Sequence, residues 1–364
     1  MTDLAGRSFR RILLIKPSSA GDILHALPVA RALRATWPEA TLEWLVGSSF
    51  IDLLEAEPSL TALIPFDRRH FAHVGRRWRA SSDFARFVTG LRRRDYDLVI
   101  DLQGLFRSGF LARAAAAPVR IGFRDAREFS WLFYTHFMTT RQDRAHAVDR
   151  NLEALALLGV NPGEVDMRPA LRAEDRSSAA ALLAERSIAP RAPYALIAPG
   201  TRWETKQWSV ERFGRVAARL ADEHGLPTLL VGGAGDRSLA RLAVAASGNR
   251  AHDLSGRTSL RALAALVESA RLVITADSFP MHLAAAYGRP LVALFGPTHP
   301  GRTGPYGALD RVVRLDLPCS PCYLRNLRDC PHQHRCMNDL DVERVMAEAR
   351  LRLASVLSAQ DAIR

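Results

Sequence analysis

The chain has 364 residues, of which 48% are hydrophobic and 24% are charged, as expected of a folded protein with two domains of ordinary size. Its most apolar runs, such as LPTLLVGG and LVALFG, have the length of strands and fall short of the ~20 residues that span a bilayer. The first apolar run ends at Lys16 and Pro17 and is too short for a secretory signal. We therefore expect a cytoplasmic protein without a membrane span.

The formal net charge of +12 predicts an anionic partner, either a nucleic acid, an anionic membrane surface or a phosphorylated substrate. Many of the arginines lie within residues 68–127, where a merely solvated surface is one interpretation. Those within residues 107–127 follow predicted strand ends instead of covering one helix face, which favours ligand binding. Because no nucleic-acid-binding signature is visible, we expect no nucleic-acid partner.

The first half of the chain alternates strands and helices. RRILLIK (10–16) is an apolar run typical of a buried strand, and a Ser/Gly loop and a helix follow it up to Pro38. Further strands are predicted at TLEWLVG (41–47) and DYDLVIDLQG (95–104), with another helix starting at RSGFLARAA (107–115). This alternation predicts βαβ units and a parallel sheet.

The same alternation restarts after a loop-rich stretch around residues 160–190. The second half contains predicted strands at 194–200, 226–236, 271–277 and 290–296, with predicted helices at 209–225, 259–270 and 279–288. Two successive α/β sheets of similar size predict two doubly wound, Rossmann-like domains that face each other across a cleft. We place them at residues 1–175 and 176–345, and expect a last helix, 346–364, to pack back on the N-terminal domain.

Ligands of doubly wound sheets bind outside the carboxyl ends of the strands, and this rule selects the loops that deserve inspection. In the second half these loops carry two kinds of group. Thr201 and Lys206 suit phosphate binding near a helix start, and Asp236 suits a ribose or a base. The remaining candidates at these strand ends are Asp277, Ser278, Gly296 and Thr298. Together they predict a site for a nucleoside diphosphate, although each alone also suits an ordinary turn.

Two common nucleotide-binding motifs are missing from the sequence. It contains no GxxxxGK[ST], and no GxGxxG opens a helix after the first strand, so P-loop and dehydrogenase interpretations lose their main support.

In the first half, Asp22 follows Gly21 at the start of a helix. It suits either an acid that complements the helix dipole or a general base. The Asp95-Tyr96-Asp97 triplet resembles a metal-binding DxD, but it precedes its strand and so lies at the wrong end.

The four cysteines lie within 18 residues near the end of the chain and are Cys319, Cys322, Cys330 and Cys336. A C-x2-C pair with two further cysteines close by is typical of a metal site, although the second pair departs from the usual zinc spacing. Disulfides are not expected in a cytosolic protein. The two main hypotheses are a structural metal site and buried reduced thiols.

Four segments in this order resemble the lipopolysaccharide heptosyltransferases of glycosyltransferase family 9: ILLIKPSSAGDILHALPVARALR, YDLVIDLQGLFRSGFLA, APGTRWETKQWSVERF and TADSFPMHLAAAYGRPLVALFGPTHPGRTGPYG. The resemblance extends from about residue 10 to about residue 345. DAREFSWLFYTHF and HAVDRNLEALALLG look more like heptosyltransferase I, whereas the cysteine-rich tail looks more like other branches, including members similar to heptosyltransferase II.

The resemblance implies a GT-B fold and inverting transfer from ADP-L-glycero-D-manno-heptose to the Kdo–lipid A inner core, with no cofactor or metal required for catalysis. Asp22 matches the catalytic aspartate of the family, and Lys206 and Thr201 match groups at the donor diphosphate. Asp277, Ser278 and His282 match a donor-site motif. The basic N-terminal surface fits an anionic acceptor at the inner membrane face, with bidentate contacts expected from arginines: Arg107, Arg120, Arg124 and Arg127.

Two positions differ from the family pattern. Phe279 stands where a glycine is usual, and Gly235 replaces an acid that some members carry, with Asp236 one place further on. The alternatives to the inner-core reaction are a different or already heptosylated acceptor, another GT-B protein such as an epimerase, a paralogue that only binds, and a nucleic-acid binder.

Overall fold

The computed structural model describes residues 4–139, 145–189 and 191–361, with side chains described up to residue 355. It divides into two units, Met1–Ala170 and Leu171–Arg364. Among the described helices, none is both long enough and apolar enough to cross a bilayer.

The described part of the first unit holds a six-stranded sheet in the order β3-β2-β1-β4-β5-β6, with every neighbouring pair parallel. Its strands are β1 (Arg11–Ile15), β2 (Thr41–Gly47), β3 (Ala62–Phe66), β4 (Leu98–Asp101), β5 (Val119–Phe123) and β6 (His136–Met138). Its helices are α1 (Ala20–Leu24), α2 (Leu27–Thr36), α3 (Ile51–Leu54), α4 (Arg68–Phe71), α5 (Trp78–Arg92), α6 (Phe106–Ala114) and α7 (Ala147–Leu158).

The second unit repeats this topology in the order β12-β11-β10-β7-β8-β9, again with parallel neighbours. Its strands are β7 (Ala195–Ala198), β8 (Thr228–Leu230), β9 (Ala251–Asp253), β10 (Leu272–Ala276), β11 (Leu291–Phe295) and β12 (Val312–Arg314). Its helices are α8 (Ala173–Ala184), α9 (Val210–His224), α10 (Arg237–Ala246), α11 (Leu260–Ser269), α12 (Phe279–Ala286), α13 (Pro300–Thr303), α14 (Arg335–Asn338) and α15 (Val342–Asp361).

The central strands are buried because helices cover both faces of a parallel sheet, and their sequences are therefore continuous apolar runs. All four residues from Ile12 to Ile15 are fully buried, as is the run from Leu272 to Ile274 in β10. In each sheet the direction in which successive strands are added reverses beside the first strand, between β1 and β4 and between β7 and β10. Loops leaving these strand pairs diverge, so the carboxyl edge opens there for a ligand. The two predicted doubly wound sheets are confirmed.

The last helix packs within the second unit. In α15 the side chains of Val345, Met346 and Ala349 are fully buried and belong to the same hydrophobic cluster as Leu294 of β11. The helix also contacts α9, β10 and β12. The sequence favoured packing on the N-terminal domain, but the contacts described for this helix bury its apolar stripe against the second sheet.

Candidate functional site

The first group of candidate side chains lies between β1 and α1, at the point where the first sheet reverses. Ser19 precedes α1 and Asp22 is the third residue of the helix. The Asp22 carboxylate accepts hydrogen bonds from the backbone N–H of Ser19 at 2.9 Å and from its hydroxyl at 2.7 Å. These two bonds cap the helix start and fix the position of the carboxylate.

Positive side chains keep Asp22 ionised. Burial alone would raise its pKa, but the charges of Lys16 and His25 and the hydrogen bonds from Ser19 outweigh burial and lower the pKa from 3.8 to about 2. Lys16 is itself buried directly after β1, where its ammonium group donates to the carbonyl of Leu102 at 2.6 Å. The carboxylate is therefore negatively charged at neutral pH, as a general base must be before it accepts a proton.

A second buried acid ends the neighbouring strand. Asp101 is fully buried, and burial raises the pKa of its carboxyl group. It accepts a hydrogen bond from the hydroxyl of Tyr134 at 2.6 Å and another from the N–H of Gln103 at 2.8 Å, which brace the loop after β4. Neither Asp101 nor Lys16 was predicted as a site residue, although both follow apolar strand runs at the carboxyl edge, as Asp277 does.

Three of the predicted acceptor-binding arginines are exposed. Arg107 lies on α6, and Arg124 and Arg127 follow the carboxyl end of β5. The guanidinium of Arg124 lies 4.9 Å from the ring centre of Phe137. These three side chains are accessible to an anionic ligand of the first unit.

Arg120 differs from the other three. It lies inside β5, where its side chain donates to the carbonyl groups of Phe133 at 2.8 Å and Ala117 at 2.5 Å. Burial and the charge of Arg113 lower the pKa of its guanidinium. These contacts hold the Arg120 side chain on the backbone. They do not favour a role in acceptor binding, which stays a prediction.

The DxD triplet lies at the amino end of β4, as the sequence predicted. The Asp97 carboxylate accepts hydrogen bonds from the backbone N–H groups of Arg10 and Arg11, at 2.7 and 3.0 Å. It therefore anchors the start of β1 beside β4, away from the carboxyl edge at which ligands bind.

The second unit brings three predicted residues into one cluster. The ammonium group of Lys206 lies 2.6 Å from Oδ2 of Asp277, and the hydroxyl of Thr298 donates to the same oxygen at 2.7 Å. The Lys206 side chain is 15% exposed and that of Asp277 is 5% exposed. These residues come from the loops after β7, β10 and β11, and they meet at the carboxyl edge of the sheet as predicted.

Trp203 organises the cations of this cluster. The Lys206 ammonium lies 4.5 Å from its ring centre, and the Arg325 guanidinium lies 4.9 Å from it. The contacts hold two positive charges on one aromatic ring. Arg325 was not predicted as a site residue, because it belongs to the cysteine-rich segment and meets Trp203 only through tertiary packing.

Two other predicted donor residues, Thr201 and Ser278, have local partners. The hydroxyl of Thr201 donates to the carbonyl of Trp203 at 2.8 Å, and the hydroxyls of Ser278 and Thr275 lie 2.9 Å apart. His282 is 8% exposed on α12. These contacts order the loop after β7 and the start of α12.

Asp236 lies where two glycines leave room for it. Its carboxylate accepts from the N–H of Gly233 at 2.8 Å, and a Cβ added at Gly200 or Gly232 would approach the Asp236 side chain to 2.5 or 2.7 Å. Larger residues at these positions would displace the carboxylate from the ends of β7 and β8. The glycines thus hold the predicted ribose-binding acid at the carboxyl edge.

Gly296 has a packing role that the sequence did not predict. A Cβ at this position would come within 2.7 Å of the sulfur of Met337 and 2.9 Å of that of Cys336. The space that a ligand was expected to use beside Gly296 is filled by α14. Its contribution to donor binding remains a prediction without support from these contacts.

The cysteine-rich segment packs on the predicted donor loops. The hydroxyl of Thr205 donates to the carbonyl of Leu324 at 2.6 Å, and a ring nitrogen of His334 lies 2.6 Å from the carbonyl of Thr205. The hydroxyl of Ser320 donates to the carbonyl of Gly296 at 2.6 Å. The segment therefore supports the backbone on both sides of the Lys206 cluster.

The thiols are free and lie near one another. Cys336 is buried, and burial together with the charges of the other three thiols raises its pKa to about 11. Within the residues that the structure describes, no group of three or more His, Cys, Asp or Glu side chains is arranged to hold a metal ion. The structural metal site stays a prediction that the geometry does not support.

Comparison with known proteins decides the family. Residues 84–330 match the family model described as glycosyltransferase family 9 (heptosyltransferase). The chain belongs to this family. The lipopolysaccharide heptosyltransferase 1 of Pseudomonas aeruginosa is 32% identical to it over 368 residues, which cover 96% of this chain and 97% of that protein. The predicted family and the predicted enzyme class, a glycosyltransferase, are confirmed.

Two solved structures support the fold. The ADP-heptose lipopolysaccharide heptosyltransferase II of E. coli matches with a TM-score of 0.74 and 25% identity, covering 95% of this chain and 99% of that one. The E. coli heptosyltransferase WaaC with ADP matches with a TM-score of 0.73 and 24% identity, covering 94% and 99%. Together with the two parallel sheets, these matches confirm the predicted GT-B fold class of this family 9 chain.

Proposed function

We propose that this family 9 glycosyltransferase moves heptose from ADP-L-glycero-D-manno-heptose to the Kdo–lipid A inner core of lipopolysaccharide, with inversion at the anomeric carbon. The observation that carries the proposal is Asp22, an acid held ionised beside Lys16 and His25 at the reversal point of the first sheet. The near full-length similarity to the P. aeruginosa heptosyltransferase 1 supports the choice of donor and acceptor.

The acceptor chemistry is assigned to the first unit. Asp22 accepts the proton of the acceptor hydroxyl as its oxygen attacks the anomeric carbon. Because the pKa of Asp22 is about 2, the proton moves only as the attacking oxygen becomes more acidic in the transition state. The exposed arginines Arg107, Arg124 and Arg127 bind the carboxylates and phosphates of the acceptor, for which guanidinium groups are well suited.

The donor chemistry is assigned to the second unit. Lys206 supplies positive charge to the diphosphate that leaves with ADP, an electrostatic contribution that grows as charge develops on the leaving group. Thr201 and the free N–H groups at the start of α12 bind phosphate oxygens, and Asp236 binds the ribose or the base. The scheme uses no catalytic metal, since the lysine and the N–H groups at the start of α12 offset part of the charge on the leaving diphosphate. The proposed location is the cytoplasmic face of the inner membrane.

A second candidate acceptor is an inner core that already carries heptose. The similarity to the E. coli heptosyltransferase II structure, whose identity and TM-score are close to those of WaaC, favours this alternative. The donor half of the proposal is the same for both acceptors.

The test supplies both acceptors to the purified protein. ADP-heptose is incubated with Kdo2-lipid A or with its mono-heptosylated form, and mass spectrometry measures the gain of one heptose. Gain on Kdo2-lipid A supports the first-heptose reaction, whereas gain only on the heptosylated acceptor selects the second candidate. Failure with both acceptors, in protein that still binds ADP, would refute the inner-core assignment.

A further inference from the structure

Five of the seven large apolar side chains that are exposed in the described part of the first unit lie on two neighbouring elements. On α6, Phe106 is 51% exposed and Phe110 is 36% exposed, and in the turn that precedes β6, Phe129, Trp131 and Leu132 are 70%, 43% and 63% exposed. We call these five residues the aromatic patch. Side chains of this size are usually buried, and a contiguous exposed group of them marks an interaction surface.

The two halves of the aromatic patch form one surface. The ring centre of Phe133, in the turn, lies 5.3 Å from that of Phe106 and 6.5 Å from that of Phe110. A Cβ at Gly109 would approach the Phe133 ring to 2.8 Å, so the turn lies directly against α6. The Glu128 carboxylate also accepts a hydrogen bond from the N–H of Phe106 at 3.1 Å. The exposed side chains of both elements are therefore neighbours.

The surroundings of the aromatic patch are positively charged. Residues 104–133 contain five arginines and two acids. Both acids have partners, since both oxygens of Asp125 bind Arg150, at 2.9 and 3.0 Å, and Glu128 binds the start of α6. The positive charge of the arginines is only partly offset and is available to an external anion.

The arginines are placed so that they act together with the rings. Phe106, Phe110 and Arg113 are spaced i, i+4 and i+7 and share one side of α6. Arg113 is exposed. A helix side that combines aromatic rings with a long cationic side chain is typical of segments that lie at the boundary between lipid headgroups and acyl chains.

We propose that the aromatic patch docks this enzyme on an anionic phospholipid bilayer. The rings enter the headgroup region, and Arg113, on the same side of α6, contacts lipid phosphates. A second copy of the chain is a poorer occupant, because a symmetric contact would place the same positive surface against itself. The inference extends the proposed function, whose acceptor is lipid-linked. The test uses neither donor nor acceptor, so the membrane inference and the proposed function can fail independently of each other.

The apolar arm of the test uses vesicle sedimentation. Wild-type protein should bind vesicles that contain phosphatidylglycerol and should bind pure phosphatidylcholine vesicles weakly. The double variant Phe129→Ser/Leu132→Ser removes two of the most exposed patch side chains and should lower the partition coefficient on the order of tenfold. Leu351→Ser is the matched control, because Leu351 is 57% exposed on α15 of the second unit, and it should leave binding unchanged.

The charge arm compares two exposed arginines. Arg113→Gln should weaken binding to the anionic vesicles about fivefold, the change expected for one arginine at a membrane surface. Arg241→Gln, on α10 of the second unit, should have no such effect. Raising the salt concentration should weaken wild-type binding and reduce the difference between the two variants.

Three outcomes would overturn the inference. The first is unchanged vesicle binding by the Phe129/Leu132 double variant, and the second is equal binding of the wild type to anionic and neutral vesicles. The third is a wild type that does not bind vesicles, together with a double variant whose oligomeric state has changed. That third result would assign the patch to a protein contact. Circular dichroism and urea unfolding should match the wild type, because exposed substitutions rarely change stability by more than about 0.5 kcal/mol. Transfer to a water-soluble Kdo acceptor, measured separately, reports on the proposed function alone.

Discussion

Replacing Asp22 with asparagine should change both the stability and the turnover of the enzyme. The folded-state pKa of Asp22, about 2, lies below the ordinary value of 3.8. Ionised Asp22 therefore stabilises the folded chain above pH 3.8, and this contribution is lost as the pH falls toward 2. Since one pKa unit corresponds to about 1.4 kcal/mol, the contribution at neutral pH is about 2 kcal/mol.

Asparagine keeps the size of the side chain and can still accept a hydrogen bond from Ser19, but it loses the charge that faces Lys16 and His25. Urea unfolding of Asp22→Asn at pH 7 should therefore give a free energy of unfolding about 2 kcal/mol below that of the wild type. The difference should shrink as the pH is lowered from 4 toward 2. Heptose transfer should fall by about 10²–10⁴-fold, the contribution typical of a general base, while calorimetry should find unchanged ADP affinity.

The control for this variant is Asp149→Asn. Asp149 also lies in the first turn of a helix, α7, but it is exposed, so replacing its charge should cost less than about 1 kcal/mol, the range of exposed charge contacts. An Asp22→Asn variant that retained transfer would refute the role of Asp22 as base. A stability deficit that did not depend on pH would refute the electrostatic argument, and loss of ADP affinity with transfer intact would reassign Asp22 to the donor.

The remaining predictions concern the second unit. Asp277→Asn should lower the free energy of unfolding by about 3–5 kcal/mol in urea, because it leaves the Lys206 ammonium without its buried partner; a loss below about 1 kcal/mol would contradict this. Lys206→Ala should weaken ADP binding about 10–100-fold by calorimetry, as loss of a charge-assisted contact does, and unchanged affinity would remove the lysine from the donor site. Elemental analysis tests the structural metal site at the four cysteines: metal-free wild-type protein, the result that the described geometry favours, would refute it, whereas one ion per chain that Cys322→Ser and Cys330→Ser release would establish it.

The sequence predicted most of the central strands, such as β1, β4, β7 and β10, because they are buried on both faces. The run LVI that starts β10 is apolar and rich in β-branched residues, and a short run of this kind is typical of a buried strand. It did not single out β3 or β5. Nor did it single out β6, β9 or β12, which have three residues each. These strands lie at sheet edges and include polar residues such as His252, so their extended state depends on pairing with a neighbour more than on their own pattern.

The site was predicted where its residues follow strand ends. Lys206, Asp277 and Thr298 are far apart in sequence, but the doubly wound topology brings the carboxyl ends of their strands to one edge. The contact of Arg325 with Trp203 could not be predicted in this way, since it depends on how an irregular segment folds back on the loops. For the same reason Gly296 was interpreted as a ligand-binding residue, whereas its missing side chain makes room for Met337.

The contacts of Asp277 bear on how it serves the donor. Its Oδ2 atom already accepts from Lys206 and Thr298, and the side chain is 5% exposed, so a contact with a ligand would require that it give up one of these partners. A negative carboxylate close to a diphosphate would also oppose binding unless the lysine lay between them. Asp277 is therefore better suited to position the Lys206 ammonium than to touch the donor. On this basis Lys206→Ala should lower ADP affinity directly, because a contact with the diphosphate is lost. Asp277→Asn should lower it indirectly, because the Lys206 side chain is no longer held in one position.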